Sequence, residues 1–197
     1  KLLSRMMLLR QKTKQMPKLI WVKKMKVQLS QFMHTLMTLK DKLITVVRPS
    51  NCYAEGQALY RLIPRALLAS VGGPKMALQG TPQKSYMHAD DLSRAILLLI
   101  ERKALGLFNC GPELPTGIGK IVEMVAQTFG KTLPEIADVT EGRAQEDAQF
   151  WISSEKLMRL GWKPEVSLHS GLERMHKWGL TYKSQLLEMP IDYEFRP

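Results

Sequence analysis

Few side chains in this sequence are placed to do chemistry, and their spacing excludes several mechanisms. The two cysteines, Cys52 and Cys110, fit no metal-ligand spacing. They are expected to be ordinary thiols of a reducing compartment rather than a disulfide. His34, His88, His169 and His176 form no metal-binding pattern with one another or with acids, so no metal site is expected. A phosphate-cradling turn of the G-x-G-x-x-G type is absent from the 197 residues. The nearest approach, Gly117-Ile118-Gly119, lies at the start of a helical pattern and is taken as a helix start.

The remaining chemical feature is charge. The chain carries a formal net charge of +11, from 29 Lys/Arg against 18 Asp/Glu. Residues 1–50 hold 12 of the bases and one acid, Asp41, so the rest of the chain is neutral. A basic arm can bind phosphate backbones or an anionic membrane through charge alone. This arm has one Trp, one Phe, no Gly and six of the chain's 12 Met. An aberrant or solvated segment is the favoured reading of it, and specific nucleic-acid or membrane binding is not expected. A hydrophobic content of 45% supports a core of one domain or one and a half. No run of about 18 apolar residues predicts a membrane span. The apolar patch Met6–Leu9 is too short for a signal peptide, so a cytoplasmic location is expected.

The elements that must position any site follow from hydrophobic periodicity. Leu29, Phe32, Met33, Leu36 and Met37 fall on one face of a helix over 28–40. Further helices are predicted over 60–72 despite Pro64, over 90–102 with acids at the positive end of its dipole, and over 116–129, capped by Thr116 and ended by Gly130. The last two are placed near 154–160 and 168–187, and the tail 190–197 is expected to be extended. Short strands are predicted over 43–48, as a buried strand stopped by Pro49, and over 76–79, 107–110 and 137–140. This alternation predicts an α/β architecture with some parallel pairing.

At Val47-Arg48-Pro49-Ser50-Asn51-Cys52-Tyr53, followed by Gly56-Gln57, the chain resembles the extended short-chain dehydrogenase/reductases, whose sixth strand closes with Arg-Pro-x-Asn-x-Tyr. Four more blocks follow in that family's order. Leu62-Ile63-Pro64 resembles Lys-Leu-Ile-Pro, and Lys84-Ser85-Tyr86-Met87-His88-Ala89-Asp90-Asp91-Leu92 resembles Arg-Ser-Phe-x-Tyr-Val-Asp-Asp-Leu. Leu107-Phe108-Asn109-Cys110-Gly111 resembles Val-Tyr-Asn-x-Gly, and Leu160-Gly161-Trp162-Lys163-Pro164 resembles Leu-Gly-Trp-x-Pro. Each block is weak alone; five in order over roughly residues 43–184 are specific. The likeness is to the NAD-dependent epimerase/dehydratase branch, nearest to dTDP-glucose 4,6-dehydratases, with nucleotide-sugar epimerases and UDP-glucuronate decarboxylases close behind.

That resemblance implies the last strands of an incomplete Rossmann-like NAD(P)-binding fold, joined to a small α/β substrate-binding domain. It divides the chain into a divergent basic segment (1–27), a remnant of the dinucleotide-binding domain (28–59), a substrate-binding region (60–187) and a tail (188–197). It implies NAD as the cofactor, a nucleotide-diphosphate sugar as the substrate and a homodimer through helix 28–40. Pro49 and Ser50 would lie beside the nicotinamide. Asn51, Lys84 and Arg143 would contact the diphosphate, and Arg61, Leu62 and Pro64 would face the substrate. Lys84 stands where relatives carry Arg, which keeps the charge and loses the two-pronged geometry. Gln149 replaces a second basic residue.

The family's base is a Tyr four residues before a Lys, oxidising a sugar hydroxyl by joint proton and hydride removal. The Lys position falls near Lys24, but the Tyr position is then Ile20, and no Tyr precedes Tyr53. A catalytically incomplete, truncated homologue is therefore expected, by a shifted reading frame or a divergent gene fragment. A non-catalytic sugar-nucleotide-binding or interaction module is the alternative. His88 is expected to pack in an aromatic position, and Trp162 and Trp178 to anchor the last helices.

Overall fold

The computed structural model describes residues 44–80, 82–142 and 148–192. Helix 28–40, Ile20, Lys24 and Arg143 lie outside the described residues. The described strands are β1 (Thr45–Pro49), β2 (Asn51–Tyr53), β3 (Met76–Gln79), β4 (Gln83–Lys84), β5 (Tyr86–His88), β6 (Gly106–Cys110), β7 (Thr116–Gly117), β8 (Ala137–Thr140) and β9 (Gln149–Phe150). The helices are α1 (Leu62–Ser70), α2 (Ala89–Glu101), α3 (Ile118–Thr128), α4 (Leu133–Ile136), α5 (Glu155–Met158), α6 (Leu168–Thr181) and α7 (Lys183–Glu188).

The strands form four small sheets: β1 with β6, β2 with β5, β3 with β8, and β7-β4-β9. All pairs are parallel except β4 with β7. This is the α/β architecture with parallel pairing that the alternation predicted, and its sheets are small and separate. The short strands β2, β4, β5, β7 and β9 were not foreseen, because two or three residues are too few to show a period.

Helix α1 tolerates Pro64 because the proline sits in the first turn, where a backbone N–H has no partner within the helix. In α3 the buried residues Ile118, Ile121, Val122, Val125 and Ala126 repeat at helical spacing and form one stripe. The larger core joins this stripe to Ile63, Leu67 and Leu68 of α1 and to Leu172 and Met175 of α6. Trp178 packs at its margin. A smaller core lies under α2, where Leu92, Ala95 and Leu99 meet Met87, Phe108, Cys110, Leu157 and Trp162.

Three expectations need correction. Thr116 does not cap α3: it belongs to β7, and the cap residue is Gly117, which has no side chain to donate or accept. The last helical pattern is two helices, α6 and α7, broken at Tyr182. Strand β1 includes Pro49 and is only half-buried, because among the described residues it pairs along one edge, with β6.

Candidate functional site

The run 45–53 changes partner in its middle. As β1 it pairs with β6, and as β2 it pairs with β5. The exchange occurs at Ser50 and Asn51. The Ser50 amide donates to the Cys110 carbonyl at 2.9 Å, and the Asn51 amide donates to the Ser85 carbonyl at 3.1 Å. Two parallel pairs thus diverge at the carboxyl ends of β1 and β6. In open α/β folds, ligands bind outside the carboxyl ends of parallel strands.

Pro49, Ser50 and Asn51 lie at this divergence. The Asn51 side chain is part of the frame, its Nδ2 donating to the Ser85 carbonyl at 3.2 Å. Ser50 is buried, and its Oγ has no hydrogen-bond partner. The backbone of Gly111 presses on it: a Cβ on Gly111 would lie 2.6 Å from both Cβ and Oγ of Ser50. Gly111 is itself clamped by buried Ser154, whose Oγ accepts from the Gly111 amide at 2.9 Å and donates to its carbonyl at 2.8 Å. Buried Ser85 donates its Oγ to the Pro112 carbonyl at 2.6 Å. Ser85 and Gly111 stood inside matched blocks of the sequence without being given a role, and Ser154 was missed, because a lone Ser carries no distinguishing signal.

Lys84 adjoins this frame through Ser85. It is the central member of a row across the β7-β4-β9 sheet, in register with Thr116 on one side and Phe150 on the other. On either side of residues 143–147, which lie outside the described residues, Gly142 packs against Gly80 after β3 and the Ala148 carbonyl accepts from the Gln83 amide of β4 at 2.8 Å. Arg61, Leu62 and Pro64 sit apart, at the start of α1. Arg61 stacks its guanidinium over Tyr60, 5.0 Å from the ring centre. Leu62 is partly buried against the larger core, and Pro64 is buried. A concavity of about 270 Å³ between Tyr86, Thr116, Glu165 and Leu168 contains none of the expected ligand-binding residues.

Behind the divergence lies a charged cluster that the sequence showed only as helix-start acids and a packing histidine. Arg174 of α6 donates Nε to Glu55 at 2.9 Å and Nη1 to Asp90 at 2.7 Å. His88 is buried, as expected of a packing residue, and also does polar work. Its Nδ1 accepts from the Asp90 amide at 3.2 Å, capping α2, and its Nε2 lies 3.3 Å from Glu55. Burial pushes the Glu55 carboxyl up, but its own backbone amide and then Arg174 outweigh this, holding it below the usual range. At Asp90 burial is likewise outweighed by Arg174 and His88, and that carboxyl is also held low. Asp91 is fully buried and accepts from the backbone amides of Glu165 and Val166 and from the Arg94 guanidinium. The Trp162 indole donates to the Asp91 carbonyl at 3.0 Å, anchoring the Leu-Gly-Trp-x-Pro segment.

Tyr53 is no substitute for the missing base. Burial, reinforced by the Asp91 charge, pushes its phenol well above the ordinary value. Its hydroxyl donates to the Leu168 carbonyl at 3.4 Å, against a Gly171 whose Cβ would collide with it. Among the described residues, no group of three or more His, Cys, Asp or Glu side chains could hold a metal ion, and no helix is long and apolar enough to cross a membrane.

Residues 24–111 match the model of the NAD dependent epimerase/dehydratase family. The chain is 23% identical over 143 residues to dTDP-D-glucose 4,6-dehydratase of Bos taurus, an alignment covering 68% of this chain and 40% of the bovine protein. Its fold matches the dTDP-glucose 4,6-dehydratase of Bacillus anthracis, solved in complex with NAD, with a TM-score of 0.69 and 22% identity over 77% of this chain and 49% of that one. It also matches the UDP-glucose 4-epimerase of Thermotoga maritima, solved with UDP-glucose, with a TM-score of 0.65 and 21% identity over 79% of this chain and 52% of that one. The chain thus spans about half the length of the solved structures and less of the bovine relative.

Proposed function

Starting from the homology of residues 24–111 to the NAD dependent epimerase/dehydratase family, we propose that this chain carries the nucleotide-sugar-binding part of a 4,6-dehydratase-like protein. It binds a nucleotide-diphosphate sugar at the β1/β2 divergence and is catalytically incomplete in these 197 residues. The observation that carries this reading is the partner exchange at Ser50 and Asn51, which brings Pro49, Ser50 and Asn51 next to Ser85 and Lys84.

Lys84 supplies charge for the diphosphate, and Arg143 is assigned the same role from its place in the sequence. Arg61, Leu62 and Pro64 are assigned to the substrate side of the region 60–187. The buried, unpartnered Ser50 hydroxyl fits a role beside a nicotinamide, with Pro49 packing against it. NAD would supply hydride transfer, but the sequence offers no Gly-rich turn to hold its pyrophosphate and no Tyr at position 20 to serve as base. Lys24 alone cannot replace that Tyr, since in such a pair the Lys acts by lowering the phenol's pKa. A cytoplasmic location and self-association through helix 28–40 complete the reading.

Calorimetric titration of the purified chain tests it. dTDP-glucose or UDP-glucose should bind measurably, NAD should not bind appreciably, and neither dehydratase nor epimerase turnover should be detected. A low-micromolar dissociation constant for NAD overturns the incomplete-enzyme reading. Absence of binding by either nucleotide sugar overturns the substrate assignment.

A further inference from the structure

We propose that Cys52, Met87 and Cys110 form a three-sulfur site for a soft monovalent metal ion of the Cu(I) or Ag(I) class. The three residues come from three different strands that meet under α2. Cys52 and Met87 are register partners in the parallel β2–β5 pair, so their side chains share one face of that sheet. Cys110 ends β6, and its Sγ lies 3.7 Å from Met87 Sδ. Cys52 packs against the same apolar cluster that contains Met87 and Cys110.

Two thiols and a thioether are the donor set that soft ions select over harder competitors. With metal–sulfur bonds of about 2.3 Å, two sulfurs on one three-coordinate centre stand about 4 Å apart. The Cys110–Met87 separation of 3.7 Å is close to this, so these two donors need little movement to share an ion. Leu92, Phe108 and Trp162 wall the cluster with apolar surface, which disfavours strongly hydrated cations. Cys52 is partly exposed while Met87 and Cys110 are buried, which gives the ion its way in. Cys52 Sγ also lies 3.6 Å from the Ser50 carbonyl, so this site adjoins the strand exchange while its donors are distinct from Asn51 and Lys84. On binding, each ligating thiol releases its proton to solvent and only metal–sulfur bonds form; no oxidation state changes.

Competition for Cu(I) between the full reduced chain and bicinchoninate under anaerobic conditions tests this. The chain should withdraw one equivalent. Cys52→Ser and the volume-conserving Met87→Leu should each weaken binding by about tenfold or more, the loss seen even when a group that merely supports a ligand is removed. Cys110→Ala should do the same. If that buried variant fails to fold, as judged by near-ultraviolet circular dichroism, the other two still decide. The six Met among residues 1–50 are an independent source of soft donors. An equivalent retained at full affinity by folded Cys52→Ser and Met87→Leu therefore places the ion elsewhere and overturns the proposal. Failure of the unaltered chain to compete with bicinchoninate also overturns it.

Discussion

Replacing Asp91 with Ala should destabilise the fold by about 2–4 kcal/mol. The carboxylate is fully buried, and it accepts the Glu165 amide at 2.8 Å and the Val166 amide at 3.2 Å. Truncation leaves both donors without an acceptor, at about 1–3 kcal/mol for each fully buried group. Glu165 is exposed and Val166 half-exposed, so water recovers part of that cost. The Arg94 pair adds little, because Arg94 is about a third exposed and also pairs with Glu165 at 3.3 Å. Losing a negative charge in the first turn of α2 adds some tenths of a kcal/mol. Asp91→Asn keeps one carbonyl acceptor and should cost less, about 1–2 kcal/mol. Equilibrium urea unfolding at neutral pH measures both. If each variant lies within about 0.5 kcal/mol of the unaltered chain, the size of an ordinary surface substitution, the reasoning about Asp91 is wrong.

Gly111→Ala should cost about 1–3 kcal/mol by overpacking, since its Cβ would meet Ser50 at 2.6 Å; urea unfolding reads this, and an unchanged midpoint refutes the close approach. Glu55 and Asp90 are held below the ordinary carboxylate range, so their contribution is present above about pH 4 and is lost as pH falls through their lower folded values. Arg174→Met should therefore lower stability by roughly 1 kcal/mol at pH 7, the partial exposure of all three side chains limiting the effect. The difference should shrink as pH falls below about 4 through the lowered folded values, and a pH-independent difference would contradict the assignment. Replacing Phe32 and Leu36 with Lys should shift the sedimenting species toward monomer; a clean monomer before substitution removes the case for self-association through residues 28–40.

The sequence exposed those features that repeat or that come in long runs. Strand β3 and strand β8 were predicted to the residue, and α2 and α3 to within two residues, because their apolar stripes span several turns. Strands of two or three residues were illegible, since β4 and β9 exist only through pairing with segments distant in the chain. The site was legible in part. Pro49, Ser50 and Asn51 fall together at the strand exchange, with Lys84 reached through Ser85. The clamping roles of Ser85, Gly111 and Ser154 were hidden, although the first two stood in matched blocks, because those roles are a matter of packing distance. Asp91 was taken as a helix-dipole acid, whereas its partners Glu165 and Val166 lie more than seventy residues away in sequence.

Charge reversal at Lys84 tests the proposed nucleotide-sugar surface most directly. Calorimetry would compare dTDP-glucose binding by the unaltered chain, by Lys84→Glu and by Lys120→Glu, a reversal on the exposed face of α3 where Lys120 pairs with Glu123 at 2.8 Å. Losing a charge-assisted contact to the diphosphate should weaken binding by about tenfold or more. Lys120→Glu should bind as the unaltered chain does. Equal affinity in all three proteins, or no binding by the unaltered one, would contradict a nucleotide-sugar site at the β1/β2 divergence.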